Sequence, residues 1–431
     1  MATRTRSSAV SMDTNPNKRK IRIRMYRVGF GDCFLLSLPS GSGAGGGTYS
    51  HILIDCGVHV GGDIGTIERI VDNIGEITDR KLAVIIATHA HRDHISGFGK
   101  FAESFSQFKV REVWLPWTWD ENDEEAVKLQ EKHNSLTAKL FQHFSALGQS
   151  ADLDALAAVE NLRGNKKAIE SLKSAFGNHE ASVRYLRAGD ILNPRSISIA
   201  GLSVRVLGPP DSEEFLRQMN PPTGQRYLRL GPDGKEDVDD IHPFVQKWIA
   251  GPAAGYLHLS PDDEGQLQET VDFSLYDLTF ALDQARNNES LVTLFEFRSK
   301  YILFTGDAQY GNWRYWLENE RSADDILSQI NFLKIAHHGS DNATPKMALE
   351  KMSDGSFAAM VSTQSKPFES IPRVPLMAKL SEKTGKKIVR SDWLSVEDAP
   401  KPLVGTEPPE PSKLPQGFSR GDLWFDYTIE L

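Results

Sequence analysis

Residues 82–86, Leu-Ala-Val-Ile-Ile, form a short apolar run with no Gly or Pro, the pattern of a strand buried on both faces. Upstream, Ile21-Arg22-Ile23-Arg24-Met25-Tyr26-Arg27-Val28 alternates with period two, which predicts an edge strand whose arginines form the solvated side. Strands Cys33 to Leu38 and His51 to Ile54 then flank a Gly-rich connection, residues 40–47, as a hairpin does. Ile67, Ile70, Val71 and Ile74 recur at helical spacing, so a helix over 64–77 leads back to the apolar run.

The same order returns downstream. Residues 290–297 and 301–304 make a second predicted hairpin, ending in Thr305-Gly306-Asp307. A helical stretch over about 308–330 follows, then a strand over 331–335 ending in Ala336-His337-His338-Gly339-Ser340. This internal repeat predicts two sheets packed face to face with helices outside, an α+β sandwich of αββα type. Its fold would bring both Asp-bearing hairpins and both His-bearing strand ends to one edge.

Between the repeats, Val113-Trp114-Leu115-Pro116-Trp117-Thr118-Trp119 begins as a strand and ends in an aromatic cluster, read as packing rather than base stacking. Asp120 or Asp123 can cap a helix carrying Leu129, Leu136, Leu140, Phe144 and Leu147, and a second helix is expected over 153–176. This helical insertion, about 120–180, reads as a lid or as a surface for homodimerisation. A strand at 202–207 stops at Gly208-Pro209-Pro210, and residues 211–285 read as an acidic, irregular insertion. Strands at 357–362, 387–390 and 423–431 with a helix at 375–383 are expected to complete the second sheet. Residues 21–431 thus form one domain behind a disordered tail, residues 1–20.

Lys plus Arg number 49 against 58 Asp plus Glu, a net charge of −9, so nothing global attracts nucleic acid. No apolar run approaches the ~20 residues of a membrane helix. Two cysteines, Cys33 and Cys56, and no secretory leader suit a reducing cytoplasm.

The chemistry gathers after the apolar run, in His89-Ala90-His91-Arg92-Asp93-His94. Imidazole and carboxylate suit zinc and its neighbours, and four such groups within six residues can begin two metal sites. The spacing resembles the HxHxDH signature of the metallo-β-lactamase superfamily. Val28-Gly29-Phe30-Gly31-Asp32, Ile54-Asp55-Cys56-Gly57, Asn287-Asn288 before Ser290-Leu291-Val292, Thr305-Gly306-Asp307-Ala308 and the His337-His338 stretch resemble, in that order, the metallo-β-lactamase domain of the DNA-uptake protein ComEC and its soluble relatives. The likeness covers roughly 21–100, 200–210 and 287–395.

That resemblance implies two divalent ions, zinc or else manganese, with His89 and His91 on the first, Asp93 and His94 on the second, Asp307 bridging and His337 closing the second site. It implies hydrolysis by a metal-bridging hydroxide, with Asp93 orienting it and His338 protonating the leaving group. His337 and His338 are not separable by sequence, and either could instead cap a helix. The implied substrate is a phosphodiester or nucleotide, with no membrane partner. Hydrolysis of carboxylic esters, lactones or amides, and a non-catalytic scaffold, are the alternatives. Two departures stand out: Leu207-Gly208-Pro209-Pro210 has no His where many members place a third ligand of the first metal, and Ile371-Pro372 stands where relatives often carry His-Pro.

Overall fold

The structure is a computed structural model that describes residues 19–40, 48–59, 62, 64–146, 165–193, 199–227, 282, 285–364, 371–393 and 413–431. The predicted tail up to residue 18, residues 41–47 of the Gly-rich connection, residues 153–164 of the second insertion helix and most of the acidic insertion lie outside those residues.

Two sheets pack face to face. In chain order the first receives β1 (Lys20–Tyr26), β2 (Cys33–Ser40), β3 (Thr48–Cys56), β4 (Lys81–Ile86), β5 (Lys109–Pro116) and β6 (Ser182–Leu186). The second takes β7 (Ile191–Leu192), β8 (Leu202–Gly208), β9 (Val292–Phe297), β10 (Lys300–Phe304), β11 (Ile330–Lys334), β12 (Ala358–Val361) and β13 (Ile388–Arg390). β14 (Phe418–Arg420) and β15 (Trp424–Glu430) return to the first, whose order is β14-β15-β1-β2-β3-β4-β5-β6; the second runs β13-β12-β11-β10-β9-β8-β7.

The apolar run owes its continuity to burial on both faces. Val84 and Ile86 join the core between the sheets, with Ile23, Phe34, Ile54, Phe295, Phe304 and Phe332. Leu82 and Ile85 point the other way, onto Ile67, Ile70, Val71 and Ile74 of the Ile67–Thr78 helix. The repeat is visible in the pairings: antiparallel hairpins β2/β3 and β9/β10 are each followed by a helical crossover to a parallel neighbour, β4 and β11.

Three expectations change. The last strand does not complete the second sheet; β15 pairs antiparallel with β1 from Lys20↔Glu430 to Tyr26↔Trp424. β1 is therefore interior, and Arg24, expected to be solvated, is buried in a two-pronged pair with Asp426 (2.7 and 2.8 Å) under the Trp424 ring. A guanidinium fork matched to a carboxylate is what makes that burial tolerable. The stretch over 308–330 is two helices, Tyr310–Asn319 and Ala323–Gln329, because Glu320 turns extended and its carboxylate accepts from Ser322 N (3.0 Å).

The Glu124–Ala146 helix lies on the Trp117–Trp119 turn. Trp117 packs with Ala126 and Leu216, and its Nε1 donates to Pro210 O (3.1 Å), as packing tryptophans do.

Candidate metal centre

Four chain segments converge at one edge of the sandwich. β3 ends in Asp55, held in the left-handed region (φ 56°). Thr88 N and Thr88 Oγ1 donate to its two oxygens at 2.7 Å each, tying the end of β3 to the loop after β4. His91 caps the Arg92–Lys100 helix, so Asp93 and His94 occupy its first turn. Gly57 lets this turn approach: a Cβ there would sit 2.5 Å from His94 N. From the second half, β10 delivers Asp307 and β11 delivers Lys334, followed by the turn Ala336–Gly339, in which His337 and His338 are both left-handed.

Asp93, His94, Asp307 and His338 are all buried, and one ligand atom of each lies within 4.8 Å of the others. His338 Nε2 is 3.0 Å from Asp93 Oδ2 and 3.3 Å from Asp307 Oδ2, while His94 Nε2 is 3.0 Å from Asp307 Oδ2. Both rings are fixed from behind. His94 Nδ1 donates to Asp55 Oδ2 (2.8 Å), and His338 Nδ1 donates to Ser362 O (2.7 Å). With Nδ1 donating backward, each Nε2 faces the carboxylates and becomes a cation ligand once it gives up its proton.

The charges agree. Burial works against ionisation of every member, yet Asp307, Asp55 and Asp93 hold His94 protonated well above the usual imidazole range, and Asp307 with Asp93 pushes His338 up to about 10. Reciprocally, His94 and His338 hold Asp93 and Asp307 below the carboxylate range despite burial. Without a metal the cluster needs protons to balance its carboxylates; a divalent cation would replace them. Asp93 Oδ1, buried without a hydrogen-bond partner, is a further donor atom for such an ion.

The sequence expectation and the geometry differ in one pairing. His338, read as a catalytic acid, has Nε2 in the cluster. His337, read as the ligand, turns its ring to Asn287 Nδ2 (3.2 Å), Ser340 Oγ (2.8 Å) and Asn342 Oδ1 (3.3 Å), while its backbone N–H donates to Asp307 Oδ1 (3.1 Å). A left-handed His338 (φ 54°) is what swings the second imidazole inward.

His89 and His91 form a separate pair, His89 Nε2 and His91 Nδ1 being 3.0 Å apart, a spacing open to a hydrogen bond or to two ligands of one ion. His89 is pushed well below the imidazole range by burial and then by His94 and His91. No third His or carboxylate joins them in a cluster among the described residues. At Gly208, where a third His was sought, a side chain would run into Asn312, whose Nδ2 donates to Asn288 O (3.1 Å) and Ser290 O (3.3 Å). His133 is paired with buried Glu289 (3.1 Å) and His179 is exposed; the His143 side chain, His242 and His258 lie outside the described residues.

Lys334 is the functional neighbour that sequence reading passed over. Its buried ammonium contacts Asp32, Gly306 O (2.7 Å) and Asp307 Oδ1 (3.1 Å), and those carboxylates hold it protonated despite burial. The signal was a lysine closing a strand directly after Phe332-Leu333. Ser290 is another: its Oγ accepts from Asp307 N (3.0 Å) and lies 3.2 Å from His89 Nδ1.

Among curated proteins no match was found for this chain. Residues 44–144 match the family model described as Metallo-beta-lactamase superfamily, most of whose members are metal-dependent hydrolases, and the paired sheets with outer helices are that superfamily's sandwich fold.

Proposed function

We propose that this chain is a metal-dependent hydrolase acting on phosphodiesters, with its cation held by Asp93, His94, Asp307 and His338. The convergence of two Nε2 atoms and two carboxylates within 4.8 Å carries the reading. A divalent ion there would supply positive charge to a phosphoryl oxygen and activate water near neutral pH. Asp93, with Oδ1 unpartnered, is placed to take the proton of the attacking water. His337, half-buried beside the cluster with its ring held by Ser340 and Asn287, is the residue we assign to positioning the leaving group. Among the described residues we assign this centre to one ion; His89 and His91 would offer a second ion two nitrogens.

The order of motifs resembling ComEC-type domains favours a phosphodiester, and the net charge of −9 favours a small diester over long duplex DNA. The Glu124–Ala146 helix buries Ala126, His133, Thr137 and Leu140 and exposes Glu124, Glu125, Lys128 and Glu131, so we assign it to walling the site; a dimer through it would meet a polar face. No helix among the described residues is long and apolar enough to cross a membrane, and two free, buried cysteines suit the cytoplasm.

The test is metal content of the purified protein together with hydrolysis of bis-p-nitrophenyl phosphate by wild type, Asp93→Ala and His338→Ala. At least one ion per chain, with turnover lost in both variants, is expected. No bound ion and no turnover after adding Zn²⁺ or Mn²⁺ would sink the proposal in favour of a scaffold. Turnover of p-nitrophenyl acetate alone would point to esters.

A further inference from the structure

Two arginines whose segments meet the turn after β11 carry guanidinium nitrogens that are buried with no hydrogen bond among the described residues. Arg286 is 3% exposed, and its Nε is buried with no hydrogen bond. Among the described residues no side-chain hydrogen bond or ion pair engages its guanidinium. Glu289 lies within electrostatic reach; its Oε2 accepts from Thr118 Oγ1 (2.9 Å), and its Oε1 lies 3.1 Å from His133 Nδ1. Arg373 has both Nε and Nη2 buried and unpartnered.

A guanidinium cannot shed its proton, so burial without acceptors is unfavourable unless an anion arrives from outside. Both arginines are anchored to the same turn of the site from different segments. Arg286 precedes Asn287, whose Nδ2 donates to His337 Nε2 (3.2 Å), and Arg373 N donates to Gly339 O (2.8 Å), next to His338. Forked donors of this kind match the non-bridging oxygens of a phosphate.

We propose that Arg286 and Arg373 grip the phosphate of an anionic diester at the rim of the Asp93–His94–Asp307–His338 centre, so that the site selects charged phosphodiesters over neutral esters. This rests on the hydrolase reading for its consequence in turnover, though not for the binding itself. It also supplies, locally, the positive charge that the chain as a whole lacks.

The experiment compares wild type with Arg286→Gln and Arg373→Gln, and with the corresponding Lys variants, metal content being measured on each sample. Calorimetric titration with inorganic phosphate is expected to weaken on the order of tenfold or more in each Gln variant, with the Lys variants between. KM for bis-p-nitrophenyl phosphate is expected to rise by a similar factor, while any turnover of p-nitrophenyl acetate stays at the wild-type level. Melting temperatures should hold or rise in the Gln variants, since an unpaired buried charge is removed; a structural arginine would lower them. Wild-type phosphate affinity in both Gln variants, or a fall in melting temperature in both, would overturn the proposal. If wild type turns over neither ester the hydrolase reading fails, and the phosphate titrations still decide the arginines.

Discussion

Lys334 holds two buried carboxylates, Asp32 and Asp307, in one grip, and each of the three side chains is at most 2% exposed. Removing one partner of a buried ion pair leaves an uncompensated charge, a loss of roughly 3–5 kcal/mol. Lys334→Met is expected to lower stability by about that much in urea denaturation at pH 7.5, with the midpoint moving and the slope unchanged. A loss within ~0.5 kcal/mol would mean the ammonium is not what balances those carboxylates. At the opposite extreme is His51, 8% exposed, hydrogen-bonded to Ser37 Oγ (3.0 Å) and pushed down to about 4 by burial and by Arg22. Its folded pKa lies below the unfolded value of about 6.5. The unfolded chain therefore binds the extra proton between those values, and stability present above pH 6.5 is lost as pH falls toward 4, by up to about 3 kcal/mol. His51→Gln should flatten that part of the stability profile measured between pH 7.5 and 4.5; an unchanged slope would assign the acid sensitivity elsewhere. That imidazoles and carboxylates gather at this edge was readable from the HxHxDH spacing. Which of His337 and His338 faces inward was not, because it depends on left-handed backbone at both residues that no side-chain pattern announces.

At the scale of elements, the site depends on how closely the first turn of the Arg92–Lys100 helix meets the end of β3. Asp32 N donates to Asp93 O (2.8 Å), Gly57 N donates to Asp32 O (3.0 Å), and the space a Gly57 side chain would need is filled by the backbone of Asp93 and His94. Gly57→Ala must push that turn away, at a cost of about 1–3 kcal/mol for overpacking. Bound metal is expected to fall while far-ultraviolet circular dichroism stays at the wild-type level. Full metal content in a folded Gly57→Ala protein would show that the approach is not needed. Strands and crossovers were legible here because their periodicity reports burial directly: Val84 and Ile86 face the other sheet, Leu82 and Ile85 face a helix. Pairing partners were not. Nothing local to Trp424–Glu430 says that it will sit beside β1, and the Arg24–Asp426 pair that fixes it joins residues 402 positions apart. The break at Glu320 was hidden for a related reason, since one carboxylate turning back on Ser322 outweighs a helical pattern on either side.

Across the whole molecule, the centre is shared between halves. Asp93 and His94 come from the first sheet's side, Asp307 and His338 from the second's, so a cation bound to all four would cross-link the two layers at their open edge. Binding to the folded chain alone stabilises it by RT ln(1 + [L]/Kd), about 4 kcal/mol at a free ion concentration 1,000-fold above Kd. Chelator-treated protein is therefore expected to melt lower than the zinc-loaded form, with amide exchange quickening at both histidine-bearing turns together rather than at one. The pH dependence has a definite sign. His94 and His338 bind protons tightly in the metal-free fold, held by the same carboxylates the ion needs, so each ion must displace them and its stabilisation should shrink as pH is lowered from 8 to 6. Asp307→Ala, which removes the carboxylate touching both imidazoles, should melt at the same temperature with and without zinc. A zinc-dependent rise preserved in Asp307→Ala, or exchange that quickens on the first half only, would place the ion on the His89–His91 pair and leave the two sheets held by their apolar core alone.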